Sequence, residues 1–156
     1  MFESAEIGHK IDKNSYKVEE PVLREALLDI QYELKEYGKF PVIILINGVD
    51  GAGKGETVNL LNEWMDPRLI STQAFGKCSD EERERPRMWR YWRALPANGR
   101  IGILFGSWYS DPIIGRVTGD FKTSELDHQI DEIVRFEKML AHDGVVLLKF
   151  WFHLSK

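Results

Sequence analysis

A glycine-rich segment with one lysine, residues 48–55, has the residue types that can hold phosphate. It runs Gly-Val-Asp-Gly-Ala-Gly-Lys-Gly, so a glycine, four residues, a glycine and a lysine follow in the order of a Walker A loop. Positions without side chains let successive backbone N–H groups turn inward around phosphate oxygens, and the lysine supplies a mobile ammonium. We expect phosphate to bind at Gly48, Gly51, Ala52, Gly53, Lys54, Gly55 and Glu56. A glycine-rich turn without a ligand is the alternative.

Two residues of this loop decide how a metal ion could be held. Gly55 stands where a Walker A loop has the serine or threonine whose hydroxyl contacts Mg²⁺. Asp50 is therefore the predicted Mg²⁺ ligand, because a carboxylate beside a phosphate repels it unless a cation lies between them. Two alternatives stay open: Asp50 as a turn residue before Gly51, and Glu56 as a favourable charge at a helix start.

The elements on either side of the loop must aim its backbone at the ligand. Residues 40–46 form a continuous apolar run rich in β-branched side chains, which predicts a strand buried on both faces. Residues 56–65 resume a helical pattern of apolar positions. The predicted order is strand, glycine-rich turn and helix, and it places the positive end of the helix beside the phosphate.

Helices and strands are predicted to alternate through the rest of the chain. An amphipathic helix over residues 21–37 comes first, with Pro21 in its first turn and Gly38 after its end. Further strands are predicted at 69–75, 100–105 and 145–152, the last of them buried. Further helices are predicted at 79–95, with a kink at Pro86, at 109–117 and at 124–144. This alternation predicts a three-layer α/β domain of the P-loop NTPase, nucleotide-kinase-like type, with a mostly parallel sheet flanked by helices.

Length and composition exclude several classes of protein. A chain of 156 residues is the size of one domain, and 43% hydrophobic with 29% charged residues is typical of a globular protein. The longest aliphatic run, residues 42–46, is too short to cross a bilayer, so no membrane partner is expected. Residues 1–10 lack the apolar core of a signal peptide, and the single cysteine, Cys78, favours a reducing, cytoplasmic location.

The charge is distributed unevenly along the chain. A net charge of −4 argues against a general nucleic-acid binder. Residues 83–100 nevertheless hold six arginines and one acid, so a polyanion could bind there; the arginines are Arg83, Arg85, Arg87, Arg90, Arg93 and Arg100. On a continuous helix, Arg83, Arg87 and Arg90 would share one face. The tryptophans of this segment, Trp89 and Trp92, are expected to be buried.

Several of these motifs together resemble the polyphosphate kinase 2 family. The loop at 50–55, Gly76-Lys77, the arginine- and tryptophan-rich segment and Ser107-Trp108-Tyr109 follow one another in the order and spacing of that family. The similarity extends over nearly the whole chain and is greatest to the N-terminal half of the tandem polyphosphate:AMP phosphotransferases. It implies Mg²⁺-dependent phosphoryl transfer between inorganic polyphosphate and a nucleotide, AMP to ADP, in a cytoplasmic homo-oligomer.

The same resemblance implies roles for particular side chains. Asp50, Lys54 and Arg116 would take part in catalysis, and Lys77 would contact phosphate unless it is an ordinary surface lysine. The fork geometry of arginine suits a polyanion, so Arg90 and Arg93 are expected to bind the polyphosphate chain. The resemblance also implies that residues 1–156 are a single domain from the N-terminal part of a longer chain.

Three positions depart from the family pattern. Active members carry Phe-Asp-Arg-Ser-Trp-Tyr after the third strand, whereas Phe105 stands here in place of the aspartate and Gly106 in place of the arginine. Asp111 stands where a further arginine is usual. An alternative function is therefore a degenerate half that binds polyphosphate or assembles the enzyme while a C-terminal domain transfers phosphate. An ATP-dependent nucleotide kinase is a third interpretation, but it leaves Lys77 and Ser107-Trp108-Tyr109 unexplained.

Overall fold

The structure, a computed structural model, describes residues 10–154. The ends of the expected domain, 1–9 and 155–156, lie outside this range. In chain order the elements are α1 Lys13–Tyr37, β1 Val42–Gly48, α2 Lys54–Trp64, β2 Ile70–Ala74, α3 Asp80–Arg83, α4 Trp89–Trp92, β3 Ile101–Phe105, α5 Ser110–Thr118, α6 Thr123–His142 and β4 Val146–Phe152. Between residues 10 and 154, no helix combines the length and the apolar character that crossing a membrane requires.

The strands form one parallel sheet in the order β2-β3-β1-β4. Ile44 of β1 pairs with Ile103 of β3 on one side and with Leu148 of β4 on the other. The predicted α/β class with a parallel sheet is therefore confirmed. Because parallel strands end at the same edge, the phosphate loop after β1, Gly76 after β2 and Gly106 after β3 are brought to one edge of the sheet.

Alternate side chains of β1 enter two separate apolar clusters, one on each face of the sheet. Ile43 and Leu45 pack with Trp108 and with α6, whose buried residues are Ile133, Phe136 and Leu140. On the opposite face, Ile44 and Ile46 pack with Leu34, Val58 and Met65 from α1, α2 and the turn after α2. The sheet is thus covered by helices on both sides, which fixes the strand ends that carry the loops.

The first helix begins eight residues before the predicted start at Pro21. Asp12 caps it, because its carboxylate accepts hydrogen bonds from the backbone N–H groups of Asn14 at 2.8 Å and Ser15 at 3.1 Å. Pro21 therefore lies inside the helix, and the prediction that it occupies the first turn is wrong. The proline is tolerated because it is exposed, so water can satisfy the carbonyl that loses its helical partner.

The predicted helix over residues 79–95 is interrupted, not kinked. Ser79 forms the expected capping box with Glu82, but α3 ends at Arg83, and α4 starts only at Trp89. Pro86 lies between these two single-turn helices, where it donates no hydrogen bond and disfavours helical backbone at the residue before it. The prediction that Arg83, Arg87 and Arg90 share a helix face is therefore wrong.

The predicted burial of the last strand is also wrong. β4 is an edge strand, and Leu148 and Phe150 are 42% and 49% exposed. Leu23 and Ile30, two apolar residues of the helix predicted to be amphipathic, are exposed as well. An apolar groove of about 560 Å³ runs between α1, α2 and β4, with Val146 and Leu148 among its walls. Within residues 10–154 no element covers this groove, which is why these apolar side chains stay exposed.

Candidate functional site

A cleft of about 380 Å³ opens at the carboxyl edge of the sheet, between the ends of three strands. The phosphate loop, the end of β2, the end of β3 and the first turns of α5 contribute its walls. The lining residues are Ile46, Asn47, Gly48, Asp50, Lys54, Ala74, Phe75, Gly76, Phe105, Gly106, Ser110 and Ile114. This position, outside the carboxyl ends of parallel strands, is where α/β domains bind their ligands.

Two glycines give the phosphate loop its shape. Gly48 has a φ of 139°, and a Cβ there would lie 2.1 Å from the carbonyl oxygen of Phe152 at the end of β4. Gly53 has a φ of 86° and is the N-cap of α2, with no side-chain cap. The first backbone N–H groups of α2 therefore have no helical or capping acceptor, and they are available to an anion at this end of the helix.

Lys54 is folded back onto the loop that precedes it. Its ammonium donates to the carbonyl oxygens of Gly48 at 2.9 Å and Val49 at 2.7 Å, and lies 3.3 Å from Asp50 Oδ1. The side chain is only 15% exposed, so these oxygens hold the charge at the wall of the cleft. A phosphate that enters the cleft can replace these loop carbonyls as the hydrogen-bond acceptor of the Lys54 ammonium.

Asp50 is the residue through which a cation could be held. It is fully exposed and is the single carboxylate among the described residues that line the cleft. Over residues 10–154, no group of three or more His, Cys, Asp or Glu side chains could hold a metal ion. Mg²⁺ needs no such cage, because it commonly binds through one or two carboxylates together with substrate phosphates and water. The loop is therefore compatible with Mg²⁺ when phosphate is present.

The backbone after β3 is shaped for glycine and carries no charge into the cleft. Gly106 has a φ of 74°, and its N–H donates to the carbonyl of Ile46 at 3.1 Å. A Cβ at this position would lie 3.1 Å from the carbonyl oxygen of Phe75. Phe105 packs against the apolar cluster on the α1 face. The two positions expected to be charged in active family members thus hold a packing residue and a turn residue.

Ser107-Trp108-Tyr109 forms a network that sequence reasoning did not find. The Ser107 hydroxyl donates to Asn47 Oδ1 at 3.0 Å, just before the phosphate loop. Glu137 of α6 accepts from Trp108 Nε1 at 3.0 Å, from the Tyr109 hydroxyl at 2.7 Å and, through its other oxygen, from the Lys149 ammonium at 2.8 Å. The motif therefore ties α6 and β4 to the segment that borders the cleft.

This network shifts two proton affinities. Burial raises the pKa of Tyr109 above its usual value, and the hydrogen bond from its hydroxyl to the Glu137 carboxylate raises it further. The hydrogen bond to Glu137 raises the pKa of Lys149. No local pattern could have marked Glu137, because its three partners come from the segment after β3 and from β4, not from α6.

Arg90 is a buried side chain that holds the loop after β2 through hydrogen bonds. It is buried, and its guanidinium donates to the Gly76 carbonyl at 3.1 Å and to Cys78 Sγ at 3.0 Å while lying over the Phe75 ring. Its donors are thus directed at the chain itself. Arg93, by contrast, is exposed and stacks on the Trp89 ring at 4.7 Å.

The other predicted residues lie around the cleft or away from it. Ala52, Gly55 and Glu56 lie in the loop and the first turn of α2, with Glu56 exposed. Lys77 is exposed directly after Gly76, which lines the cleft. Arg116 is exposed on α5 and projects from a different face than Ser110 and Ile114, which line the cleft. Of the aromatic pair expected to be buried, Trp92 is 46% exposed.

Comparison with known proteins gives a consistent set of relatives. The model of the family described as polyphosphate kinase 2 matches residues 10–156. A polyphosphate:AMP phosphotransferase of Pseudomonas aeruginosa is 62% identical over 156 residues, which is all of this chain and 32% of that protein. An ADP-polyphosphate phosphotransferase 2 of Rhizobium meliloti is 35% identical over 136 residues, 83% of this chain and 44% of that one.

A solved structure is similar over the whole length of the chain. The crystal structure described as a polyphosphate kinase 2 from Pseudomonas aeruginosa PA01 has a TM-score of 0.96 and 62% identity, and the similarity covers 100% of this chain and 34% of that one. The chain therefore spans about a third of the length of the polyphosphate:AMP phosphotransferase that it matches.

Proposed function

The chain belongs to the polyphosphate kinase 2 family, and on that premise we propose that it is a polyphosphate-dependent nucleotide phosphotransferase that moves a phosphoryl group from inorganic polyphosphate to AMP. The observation that carries the proposal is the position of Lys54. Its ammonium is held by loop carbonyls at the wall of a cleft where three parallel strands end. Polyphosphate and nucleotide phosphates are the ligands for which such a loop is suited.

We assign the chemistry to the residues of the loop and its borders. The backbone N–H groups of residues 51–56 would hold the terminal phosphates, and Lys54 would follow the transferred group as its charge spreads over the equatorial oxygens. Asp50 would hold Mg²⁺, which neutralises phosphate charge when it is bound. Lys77, Arg93 and Arg116 would contact the polyanion from outside the loop.

A second candidate function is supported by Phe105 and Gly106. The Phe105 ring can neither anchor a metal ion nor neutralise charge, and Gly106 has no side chain. Asp50 is the single carboxylate among the described residues of the cleft wall. Loss of one charged group can slow phosphoryl transfer by about 10³-fold. This candidate is a domain that binds polyphosphate or assembles a larger enzyme while another domain transfers phosphate.

Incubation of the chain with polyphosphate, AMP and Mg²⁺, with ADP as the measured product, separates these candidates. Transfer by the wild type that falls by about 10²-fold in Lys54→Ala supports the first, since hydrogen bonds to charged groups are worth about 1.5–3 kcal/mol each. Lys138→Ala is the matched control, because Lys138 is exposed on α6 away from the cleft. Binding of polyphosphate without transfer supports the second candidate. Thermal protection by ATP but not by polyphosphate supports an ATP-dependent kinase.

We also propose a larger setting for this chain. The polyphosphate:AMP phosphotransferase relative is about three times as long as this chain, which supports residues 1–156 as one domain of a longer protein. A cytoplasmic location, which the single cysteine favours, belongs to the same proposal. Homo-oligomer formation is part of the same proposal. Light scattering on the chain and on its full-length protein tests it, and a monomer in both measurements contradicts it.

A further inference from the structure

Two neutral polar side chains, Asn47 and Ser110, lie in the wall of the phosphate cleft. Asn47 is near the end of β1 and Ser110 is the first residue of α5, and both line the cleft together with Lys54. Asn47 is only 8% exposed, and a polar side chain buried to this extent requires hydrogen-bond partners. Both side chains find a partner in Ser107, the second residue after β3.

The Ser107 hydroxyl determines which end of the Asn47 amide is left for the cleft. Ser107 is fully buried, and its Oγ accepts from the Tyr109 backbone N–H at 3.3 Å. Its single proton is donated to Asn47 Oδ1 at 3.0 Å, the acceptor that the hydroxyl has among residues 10–154. Because Oδ1 is engaged in this way, the NH₂ group of Asn47 is the end of the amide that a ligand can use.

The Ser107 backbone orients the Ser110 hydroxyl as well. The Ser107 N–H donates to Ser110 Oγ at 3.1 Å, so this oxygen serves as an acceptor and its own proton is directed elsewhere. In the described part of the chain, neither this proton nor the NH₂ group of Asn47 has an acceptor, and Asn47 Nδ2 is accessible to solvent. One buried residue thus holds two unused donors beside each other in the cleft wall.

We infer that Asn47 and Ser110 are a pair of neutral donors that binds phosphate oxygens in the cleft, with Ser107 as the positioning residue for both. This inference rests on the proposed function. Phosphate oxygens are acceptors only when they are ionised, so they match an amide NH₂ group and a hydroxyl proton. The pair gives the ligand partners beside Phe105 and Gly106, which supply no charge there. Because both donors are uncharged, they add affinity without adding to its salt dependence.

Calorimetric titration with long-chain polyphosphate tests the Asn47 donor. Asn47→Ala and Ser107→Ala remove the same hydrogen bond, but only Asn47→Ala also removes the NH₂ group. We expect Asn47→Ala to raise the Kd about tenfold, and about threefold or more beyond the effect of Ser107→Ala. Equal Kd values for these two variants overturn the inference, because Asn47 would then act only through its bond to Ser107.

Asn62→Ala is the matched control for Asn47→Ala. Asn62 also accepts a hydrogen bond from a buried-side hydroxyl, that of Thr72 at 2.8 Å, but it does not line the cleft. The Kd of Asn62→Ala should stay within about twofold of the wild type, since the variant loses an asparagine contact but no cleft donor. A loss as large as that of Asn47→Ala would show a general effect of stability and would overturn the inference.

Ser110 provides a test that leaves the buried end of β1 intact. Ser110→Ala removes the hydroxyl proton, whereas Ser110→Thr keeps a hydroxyl at this half-buried position. We expect the Kd to rise about fivefold in Ser110→Ala and to stay within about twofold of the wild type in Ser110→Thr. Ser124→Ala, at an exposed position of α6, should bind like the wild type. An equal loss in Ser110→Ala and Ser110→Thr overturns the pair.

Salt dependence separates the donor pair from Lys54. Asn47→Ala should weaken binding by the same factor at every salt concentration, whereas Lys54→Ala should also reduce the slope of log affinity against log salt by about one. An equal fall in slope for both variants contradicts binding through a neutral donor. If polyphosphate binds in a Lys54-dependent way but the Asn47 and Ser110 variants bind like the wild type, the donor pair fails and the proposed function stands. If the wild type binds no polyphosphate, both fail.

Discussion

The hydroxyl of Ser107 donates a hydrogen bond to Oδ1 of Asn47 at 3.0 Å, and both side chains are buried. The bond joins the residues that follow β3 to the end of β1, directly before the phosphate loop. The backbone N–H of Ser107 in turn donates to the Ser110 hydroxyl at 3.1 Å. Through this contact, the start of α5 and the phosphate loop are held in a fixed relation across the cleft.

Replacement of Ser107 by alanine removes this connection. The variant leaves the Asn47 amide oxygen buried without its partner, so we expect the free energy of unfolding to fall by about 1–3 kcal/mol. Urea denaturation measures the change. Ser71→Ala, at an exposed position of β2, serves as the control and should stay within about 0.5 kcal/mol of the wild type. Equal stability of the two variants would contradict the role given to Ser107.

Gly106 and Gly55 should respond oppositely to alanine. Gly106→Ala places a side chain on backbone with a φ of 74°, so we expect a loss of about 1–2 kcal/mol. Gly55 lies in α2 with no heavy atom within 4 Å of an added Cβ, so Gly55→Ala should gain about 0.5–1 kcal/mol from helix propensity. Thermal unfolding of both variants checks the two signs, and a stabilised Gly106→Ala would disprove the first.

Asp66 gives the domain a defined response to acid. Its carboxylate accepts hydrogen bonds from the Arg68 side chain, the Arg68 backbone and the Tyr32 hydroxyl, and together they hold the pKa of Asp66 well below its usual range. The buried Gln31 amide meanwhile exchanges two hydrogen bonds with the Asp66 backbone, at 2.7 and 3.1 Å. The ionised carboxylate thus helps to fasten α1 to the turn after α2.

Stability should follow the ionisation of Asp66. Because its folded pKa is below the unfolded value of about 4, the stabilisation is fully present above pH about 5 and is lost as the pH falls below about 4. We therefore expect Asp66→Asn to be less stable than the wild type at pH 7, with a difference that shrinks on acidification. Asp131→Asn, at an exposed site on α6, is the control. A difference that stays constant from pH 7 to pH 3 would rule out this linkage.

Glu137→Gln should change the titration of Tyr109. Burial keeps the pKa of this tyrosine raised, but removal of the negative charge that accepts the hydrogen bond from its hydroxyl should lower the pKa towards its ordinary value. Ultraviolet absorbance as a function of pH measures the shift, and Tyr109→Phe identifies the tyrosine concerned. Glu25→Gln, an exposed change on α1, should have no effect. An unchanged or raised Tyr109 pKa in Glu137→Gln would refute the account.

Lys77 is the exposed cation nearest in sequence to the cleft wall at Gly76. If it contacts polyphosphate, Lys77→Ala should weaken binding about two- to fivefold and reduce the slope of log affinity against log salt by about one, since each phosphate contact releases a counterion. Fluorescence titrations over a range of salt concentrations give both values. A slope equal to that of Lys138→Ala would identify Lys77 as an ordinary surface residue.

The order of helices and strands could be predicted because most elements carry their own local signal. The apolar run of β1 and the periodic positions of α6 are properties of single segments, and both elements are found. The start of α1 could not be placed in the same way. The helix between Lys13 and Pro21 is exposed and has no apolar period, so Asp12 was its only marker, while Pro21 is typical of a helix start.

The same distinction between local and long-range signals decides which parts of the candidate site could be predicted. The phosphate loop could be proposed from the sequence because its glycines and Lys54 are adjacent in the chain, and the structure places Lys54 at the wall of the cleft. Arg90 was expected to bind a ligand, yet the structure directs its donors at Gly76 and Cys78, whose approach depends on the break at Pro86. The roles of Asn47 and Glu137 depend on contacts with distant segments, and no spacing rule reveals such contacts.

Gly48 has a consequence for how such loops persist during evolution. A side chain at this position would collide with the carbonyl oxygen of Phe152, and the neighbouring Val49 N–H bonds to that same oxygen at 3.0 Å. Selection for a correctly joined sheet would therefore retain this glycine in a descendant that had stopped binding phosphate. Lys54 makes no hydrogen bond to the described residues of β4, so pairing of the sheet does not require it, and substitutions could accumulate there once phosphate binding was lost. Among homologous sequences, the lysine is thus the better record of a working loop than the glycine that begins it.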